Sequence, residues 1–377
     1  MVTYAFDVRF ARPAALDGIG RALWNTVPAI AAALMSDERL VLISAAEDGA
    51  AWARHAPDAR IHTLAAPIAS LAQHGAWTDA VAASGADVVH YPQYDLPKVP
   101  PGVGVVVTVY DFTVVDEPGY FGGGVRRLRA LAASALLAGT CARATILTTL
   151  SHAVAREIAA RMPATAARVR VVEPGPSRLP PPRHTPGRER ALFVYVGNHR
   201  PHKRVELLLR AFARYRAVRS DARLVLMGRS DARFPGVIDA LRGPLGAGVT
   251  HVEGAADEEV ARTLAAARAL VFPSVGEGYG FPVIEALSLG TPAIVADAGS
   301  LPEVLDGAGL VVAPDDEEAW ARALHRMDSD DDLWQAATER ARIVVAGLSW
   351  ERCATKLVAA WRDALPGGLP NGRRIIR

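Results

Sequence analysis

Two glutamates border a glycine-rich stretch whose residue types suit the binding of a phosphorylated ligand. The stretch EGYGFPVIEALSLG begins with Glu277, and Glu285 follows eight positions later on the helix predicted to come next. Pro282 lies where a first helical residue is favoured, because proline lacks an N–H that would be unpaired there in any case. The amides of residues 278–283 would therefore point outward from a helix N-terminus, an arrangement that binds a diphosphate.

Carboxylates that faced a phosphate would repel it. We therefore expect Glu277 and Glu285 to accept hydrogen bonds from neutral hydroxyls of the same ligand. A ligand that has hydroxyls on both sides of a diphosphate is a nucleotide sugar. The structural alternative makes Glu277 a surface loop residue and Glu285 a partner of the helix dipole. Taken alone, the two glutamates favour this alternative, so the interpretation depends on what the fold brings beside them.

The loop YVGNHRPHKR, at the end of a predicted strand, combines a glycine with clustered cations. Gly197 allows close approach of the backbone, and Lys203, Arg200 and Arg204 could converge on a diphosphate from the carboxyl edge of a sheet. The alternative is a solvated loop with ordinary surface cations.

Two motifs in the first half of the chain follow predicted strands. DGIGRAL places Gly18 and Gly20 at a helix start but fails as a dinucleotide fingerprint, because Leu23 stands where the third glycine belongs. It could approach a phosphate or form a plain tight turn. TVYDF places Tyr110 and Asp111 at the carboxyl edge of a sheet, where polar side chains line the crevice of doubly wound folds. Alternatively, Asp111 caps the next segment.

Other motifs are better explained as structure. DSDDD, at residues 328–332, has the spacing of some metal sites but lies between late helices, so we predict a helix cap. Ser300 and Glu303 have the spacing of a capping box. Cys141 and Cys353 belong to no CxxC array, and no HExxH or GxSxG motif occurs. We therefore expect no metal and no cofactor.

Short β-branched runs alternate with Ala-, Leu- and Arg-rich stretches along the chain, which predicts parallel βα units. The strands of the first half are predicted at YAFDVRF, LVLIS, IHTL, VVHY, VVVTVYD, TILTTLS and VRVVE, and those of the second at ALFVYVG, RLVLMG, VTHVEG, ALVFPS, PAIVAD and LVVAP. A proline-rich linker at residues 174–190 separates them. Near the end, Ser349 is predicted to cap a helix that carries Trp350, Leu357 and Trp361 on one face.

Composition sets the outer limits of the interpretation. A chain of 377 residues, 50% of them hydrophobic, is long enough for two cores. Its net charge of +2 is too small to suggest a nucleic-acid partner. With no apolar leader and no run of about 18 apolar residues, we expect a cytoplasmic protein without a transmembrane segment.

VRRLRALAASALL, at residues 125–137, favours a core helix with an exposed start over a membrane-surface helix, although peripheral membrane contact stays open.

In this order, the segments resemble the retaining GT-B glycosyltransferases of family 4, a group with many mannosyltransferases. The densest match, at residues 273–304, is similar to the family signature EG(Y/F)GxPxxEA, with Glu277 and Glu285 as its pair of glutamates. YVGNHRPHKR resembles the family's G-x-x-x-P-x-K loop, and DGIGR resembles its N-terminal glycine loop. The resemblance covers nearly the whole chain.

The resemblance implies two Rossmann-like domains facing a central cleft. The acceptor-side domain would span residues 1–182, and the donor domain would span residues 183–347. A helix at residues 348–366 would cross back to the first domain, and residues 367–377 would form a tail. It also implies roles for single residues. Glu285 would bind the donor ribose, Glu277 a sugar hydroxyl and Lys203 the diphosphate, with Gly18 and Gly20 closing over it. The remaining donor contacts would come from Gly197, Asn198, Arg200, Gly278, Tyr279, Gly280 and Phe281.

The chain departs from the family pattern at two positions. Asn198 stands where many members have a cation, so Arg200 or His199 would take its place at the diphosphate. The family motif at this strand end is commonly His-Asp. Asp111 matches its aspartate, but Tyr110 replaces its histidine, so a phenol stands in place of an imidazole.

The activity implied is a metal-independent hexosyl transfer, with retention, from a nucleoside diphosphate sugar of the GDP-mannose, UDP-hexose or dTDP-hexose type. Glu277, Lys203, Tyr110 and Asp111 would be the catalytic residues. The acceptor could be a saccharide, a lipid-linked glycan or a natural-product aglycone, and the oligomeric state is not specified. The alternatives are a sugar-nucleotide epimerase and an inactive GT-B protein that binds nucleotide sugars.

Overall fold

A computed structural model describes residues 1–14, 16, 18–66, 68, 70–117, 126–182 and 187–367, with the backbone alone at Leu71, Arg126 and Arg127. Four parts of the predictions lie outside the described residues: Asp17 of the glycine loop, Val125, residues 183–186 of the linker and the tail from residue 368. The chain divides into two compact units. The first comprises Met1–Tyr110, Leu131–Gly175 and the chain from Ser349, and the second comprises Asp111–Ala130 and Pro176–Leu348.

Each unit contains one parallel sheet. The strands of the first are β1 (Val2–Asp7), β2 (Glu38–Ala45), β3 (Arg60–Leu64), β4 (Val88–Tyr91), β5 (Gly104–Thr108), β6 (Ile146–Thr149) and β7 (Val169–Val171). Those of the second are β8 (Glu189–Val196), β9 (Arg223–Met227), β10 (Val249–Val252), β11 (Ala267–Phe272), β12 (Ala293–Ala296) and β13 (Gly309–Val312). Every strand predicted from the sequence is confirmed.

The helices connect the strands in chain order. They are α1 (Gly18–Ala33), α2 (Gly49–His55), α3 (Leu71–Ser84), α4 (Thr113–Asp116), α5 (Arg126–Arg143), α6 (His152–Arg161), α7 (Val205–Val218), α8 (Gly236–Leu241), α9 (Asp257–Ala266), α10 (Phe281–Ser288), α11 (Leu301–Leu305), α12 (Glu317–Ser329), α13 (Asp331–Ala346) and α14 (Trp350–Asp363). Short 3-10 turns occupy Ala46–Asp48, Pro163–Arg168, Pro201–Lys203 and Pro244–Gly246. Within the described part of the chain, no helix has both the length and the apolar character needed to cross a bilayer.

The strand order of each sheet indicates where a ligand would bind. The first sheet runs β3-β2-β1-β4-β5-β6-β7 and the second β10-β9-β8-β11-β12-β13. In both sheets the order reverses beside the first strand of the unit, and ligands of doubly wound folds bind outside the carboxyl ends of the strands at such a reversal. The central strands β4, β5, β6, β11 and β12 are buried throughout, as expected where helices cover both faces of a sheet. In the second unit, the reversal brings together the ends of β8 and β11.

The last helix, α14, packs on the first unit. Ser349 caps it, its hydroxyl oxygen accepting the Arg352 N–H at 3.1 Å, as the sequence predicts. The predicted apolar face is buried, and Trp361 is in contact with the rings of Tyr4 and Phe6 on β1. These contacts attach the end of the chain to the core of its first half.

A charged pair holds the other end of α14. Arg362 donates two hydrogen bonds to Glu38, at 2.7 and 2.6 Å. Burial raises the pKa of the Glu38 carboxyl, but hydrogen bonds from Arg362, Met35 and Tyr4, together with the Arg362 charge, outweigh it and leave the pKa below its usual value. Because Glu38 begins β2, this pair fixes the helix to the start of that strand.

The boundary between the units differs from the predicted one. It falls at Gly175 and Pro176 rather than at residues 182 and 183, because Ser177 already donates its N–H to the Ser288 hydroxyl of α10 at 3.3 Å. The segment after Tyr110 groups with the second unit. There, Thr113 packs so closely on Gly276 that a Cβ at that glycine would lie 2.7 Å from the Thr113 hydroxyl. Because Thr113 and Gly276 are far apart in the sequence, no local sequence pattern predicts their contact.

Candidate active site

Lys203 and Glu277 meet where the loops after β8 and β11 lie side by side. The Lys203 ammonium and the Glu277 carboxylate form an ion pair, and each side chain is 13% exposed. The two loops are joined through their backbones, because Val275 donates its N–H to the His202 carbonyl at 2.8 Å. The strand order thus places two predicted site residues, 74 positions apart in sequence, in direct contact.

A second carboxylate lies close to this pair. Burial raises the pKa of Asp111; the Glu277 charge raises it further, whereas hydrogen bonds from Thr113 and the Lys203 charge lower it. Asp111 Oδ1 accepts the Thr113 N–H at 2.9 Å, at the first residue of α4, but the N-cap residue of that helix is Phe112. The carboxylates of Asp111 and Glu277 and the ammonium of Lys203 therefore form one cluster. These charged groups can bind a proton or the hydroxyls of a ligand.

The glycine-rich stretch turns into α10 as predicted. Gly280 has φ 87°, and a Cβ there would lie 2.6 Å from Leu301 Cδ2, so this position requires glycine for both conformation and space. Helix α10 begins at Phe281, and Glu285, 8% exposed, lies on its second turn. One predicted amide is not available to a ligand, because Val283 donates its N–H to the Gly280 carbonyl at 2.9 Å.

Ser300 holds the backbone of Glu277. Its hydroxyl donates to the Glu277 carbonyl at 3.1 Å, and the adjacent Gly299, with φ 55°, packs against the same carbonyl. The capping-box prediction for Ser300 is wrong, since its hydroxyl makes no cap to α11. The sequence signal for the actual role is a Gly-Ser pair following β12, the strand next to β11 in the sheet.

We expect Ser300→Ala to lower kcat by about three- to tenfold, because the Glu277 carbonyl loses a hydrogen bond worth about 0.5–1.5 kcal/mol and keeps the longer one from the Ser300 N–H at 3.4 Å, which frees the Glu277 loop to shift. The affinity for a nucleoside diphosphate should change by less than about twofold, since the diphosphate would be held by other groups. Steady-state kinetics and calorimetry with the nucleotide check this. Ser329→Ala is the matched control, because the Ser329 hydroxyl also donates to a carbonyl, that of His325, on the distant helix α12. A lower melting temperature with unchanged kcat would contradict a positioning role.

The start of the cationic loop is held by Tyr195. Its hydroxyl donates to the Asn198 carbonyl at 2.7 Å and lies 2.8 Å from where a Cβ on Gly197 would be, so glycine is needed there. Burial raises the pKa of Tyr195 well above its usual value, and the Glu277 charge adds to this. The phenol therefore stays protonated and serves as a fixed donor that shapes the loop.

The other cations of this loop have carboxylate neighbours. Arg200 Nε lies 3.7 Å from Asp231, and an Arg204 nitrogen lies 3.5 Å from Asp315. Lys203 is the cation paired with Glu277. Convergence of Arg200 with Lys203 on a diphosphate stays a prediction, as do the donor contacts of Asn198, Gly278 and Tyr279.

A recess of about 410 Å³ adjoins the loop and was missed by sequence reasoning. Its lining includes His199, Arg200, Arg204 and Arg233. His199 is 2% exposed, and neither ring nitrogen has a hydrogen-bond partner among the described residues. Burial lowers the pKa of His199 to about 4, so its ring is neutral near pH 7 and can both donate and accept a hydrogen bond.

The acidic run at residues 328–332 is structural, as predicted. Asp330 caps α13, accepting the Leu333 N–H at 2.9 Å, and Asp328 accepts a hydrogen bond from the Tyr215 hydroxyl at 2.9 Å. Asp331 pairs with Arg268 at 2.8 Å. These partners account for the run without a ligand.

Three predicted residues lie in the first unit. Gly18 begins α1 and Gly20 lies in its first turn, so the predicted glycine-bearing helix start is confirmed. Tyr110 follows β5 by two residues and is half-buried. Their contacts with a donor or an acceptor stay predictions.

The chain matches known proteins over part of its length. Residues 190–330, which hold Lys203, Glu277 and Glu285, match the family model of glycosyl transferases group 1. The O-antigen chain mannosyltransferase B of Escherichia coli is 32% identical over 177 residues, 45% of each chain. The MMP alpha-(1->4)-mannosyltransferase of Mycolicibacterium hassiacum is 33% identical over 226 residues, 58% of this chain and 54% of the relative. The chain thus spans about half the length of the curated relatives it matches.

The fold has close counterparts among solved structures. A sucrose-phosphate synthase from Thermosynechococcus elongatus superposes with a TM-score of 0.76 at 20% identity, over 96% of this chain and 98% of that one. At this identity the likeness concerns the fold alone. The chain therefore has the GT-B fold, and its residues 190–330 are similar to the glycosyl transferases group 1.

Proposed function

We propose that the chain transfers a sugar from a nucleoside diphosphate donor to an acceptor hydroxyl. The observation that carries this proposal is the pairing of Lys203 with Glu277 at the strand-order reversal of the second unit. It supplies a cation for a diphosphate and a carboxylate for sugar hydroxyls within one cluster. Glu285, on the helix that starts beside them, would accept hydrogen bonds from the donor ribose.

The cluster favours the transition state of such a transfer. As the bond from the anomeric carbon to the diphosphate oxygen breaks, negative charge grows on the leaving group. The Lys203 ammonium and the N-terminus of α10 stabilise that charge more than the charge of the bound donor. Glu277 would orient the sugar through its hydroxyls and add electrostatic stabilisation where positive charge develops at the anomeric carbon.

We further propose that the reaction retains the anomeric configuration and needs no metal. The acceptor oxygen would attack from the face that the diphosphate leaves, and its proton would pass to the departing phosphate oxygen. Bond formation to the acceptor then balances bond cleavage to the phosphate. Tyr110 and Asp111 would contribute hydrogen bonds to the sugar or the acceptor. Proton NMR of the product, through the coupling at the anomeric position, tests the configuration, and inversion would contradict this part.

The named relatives support a mannosyl donor. Three of the curated relatives are mannosyltransferases, which favours a GDP-mannose type of donor over UDP- or dTDP-hexoses. The epimerase and inactive alternatives are not favoured by these relatives. The acceptor would be a hydroxyl of a saccharide, a lipid-linked glycan or a natural-product aglycone.

A panel of GDP-, UDP- and dTDP-sugars tests the donor. A ligand at about 100 times its dissociation constant stabilises the native state by about 2.7 kcal/mol, which raises the melting temperature by several degrees. We expect this shift with one base and a smaller one with the others. Repetition with Lys203→Met is the control, since a shift that depends on the diphosphate should shrink. No shift with any nucleotide would contradict the proposed function.

A further inference from the structure

The segment that follows β5 packs against the loop that carries Glu277. Its residues Phe112, Thr113 and Val114 are all buried, and α4 begins at Thr113. The segment belongs to the second unit, as does the loop after β11. A helix of four residues is not stable through its own hydrogen bonds, so packing determines where this one lies.

The contact falls on Gly276, the residue before Glu277. A Cβ at Gly276 would lie 2.7 Å from the Thr113 hydroxyl oxygen, 3.0 Å from its Cγ2 and 3.4 Å from its Cβ. The φ of Gly276 lies outside the left-handed region, so the backbone conformation does not require glycine there. The requirement is one of space, because the Thr113 side chain occupies the position that a Cβ would need.

Hydrogen bonds hold the loop on both sides of Gly276. Before it, Val275 donates its N–H to the His202 carbonyl at 2.8 Å. After it, the Glu277 carbonyl accepts from the Ser300 hydroxyl at 3.1 Å. Gly276 therefore cannot retreat from the α4 segment without weakening one of these hydrogen bonds.

Thr113 also contacts the second carboxylate of the cluster. Its N–H donates to Asp111 Oδ1 at 2.9 Å. The same residue thus binds Asp111 through its backbone and packs on the Glu277 loop through its side chain. The Glu277 charge raises the pKa of Asp111 and the Lys203 charge lowers it, so the three charged groups interact across this contact.

We propose that Thr113 is a positioning residue, a spacer that sets the separation of Asp111 and Glu277. This role rests on the proposed function, in which Glu277 orients the donor sugar. A charged group stabilises a transition state only when it is held in place before the reaction, and a displacement of about 1 Å can cost about 10²-fold in rate. Thr113 acts through Asp111 and Gly276 and needs no contact with the ligand.

Moving one methyl group across the contact tests the proposal. Gly276→Ala should lower kcat about 10–100-fold, because the added Cβ forces the two segments apart, while the dissociation constant for the nucleoside diphosphate changes by less than about threefold. Thr113→Ala removes the two atoms that obstruct this Cβ and should by itself lower kcat about threefold, since it leaves a small gap. The double variant should recover kcat to within about threefold of the unaltered chain, because the remaining Cβ at residue 113 would lie 3.4 Å from the new one.

Two further variants complete the set. Thr113→Val keeps the branched shape without the hydroxyl, and a spacer of the same shape should hold kcat within about threefold. Gly243→Ala is the matched control, because a Cβ there would lie 3.6 Å from the Ala240 carbonyl oxygen, an ordinary contact distance. A loss with Thr113→Val as large as that with Gly276→Ala would overturn the proposal, since the hydroxyl rather than the spacing would then be responsible.

A measurement without turnover keeps this role separate from the proposed function. In Gly276→Ala the Glu277 charge moves away from Asp111 and water reaches the carboxyl, and both changes lower the pKa of Asp111. Carbon-13 NMR of the carboxyl groups should show this decrease, and the double variant should reverse it. An unchanged pKa in Gly276→Ala would overturn the spacer role whether or not the chain transfers a sugar.

The kinetic results have two further outcomes that count against the spacer. One is a Gly276→Ala enzyme with a lower melting temperature and an unchanged kcat, because the contact would then serve stability alone. The other is a double variant as slow as Gly276→Ala. If the pKa shifts and recovers as expected but the unaltered chain transfers no sugar, the proposed function is wrong and the spacer is not.

Discussion

Glu277→Gln should lower kcat by about 10²–10³-fold while the dissociation constant for the nucleoside diphosphate changes by less than about threefold. The amide keeps the size of the side chain and its loop position but loses the negative charge that orients sugar hydroxyls and stabilises charge at the anomeric carbon. Removing one preorganised electrostatic group from an active site typically costs this much in kcat. Transfer kinetics, with calorimetry of the free nucleotide, separate the two quantities.

Two features make this test specific to Glu277. The carboxylate pairs with Lys203 and lies near Asp111, so its neutralisation should also shift the pH dependence of kcat, because one of two carboxylates that share a cation is removed. Glu318→Gln is the matched control, since Glu318 is exposed on α12 and pairs with Arg322. A Glu277→Gln enzyme with kcat within about threefold of the original would exclude the proposed role.

Lys203→Met should lower kcat/KM by about 10³-fold and weaken nucleoside diphosphate binding by at least about tenfold. The ammonium is the cation that contacts Glu277, and its removal takes away the charge proposed to meet the diphosphate. It also leaves Glu277 and Asp111 together without their shared cation. The pKa of Asp111, already raised by burial, should rise further, which moves the acid limb of the pH profile to higher pH.

A double-mutant cycle separates these effects. If Lys203 and Glu277 act as a unit, Lys203→Met with Glu277→Gln should cost much less than the product of the two single losses, because the second change removes a partner already lost. Lys203→Arg should recover part of nucleotide binding, since it keeps the charge but changes its geometry. Arg214→Met, on the exposed surface of α7, is the control for loss of a cation. Strict additivity would show that the two groups act independently.

Much of the fold follows from local sequence patterns. Strands were predictable at runs such as VVVTVYD and ALVFPS, because β-branched residues between turn residues signal a buried parallel strand. The cap at Ser349 was also predictable, since a cap depends on a few neighbouring residues. Errors arose where distant contacts override a local motif. Ser300 has the spacing of a capping box, but its hydroxyl binds the Glu277 carbonyl.

The sequence by itself determined the alternating elements, the glycine-rich helix start and the residue types suited to a nucleotide sugar. Only the tertiary structure decided which of those residues meet. Lys203 and Glu277 are in contact because β8 lies beside β11, with β9 and β10 on the far side of β8. The tertiary structure also brings Asp111 into the second unit and packs Thr113 on Gly276. The physical reason is that side-chain periodicity records only whether a residue is buried, whereas a site depends on which strands pair, and pairing is a property of the whole sheet.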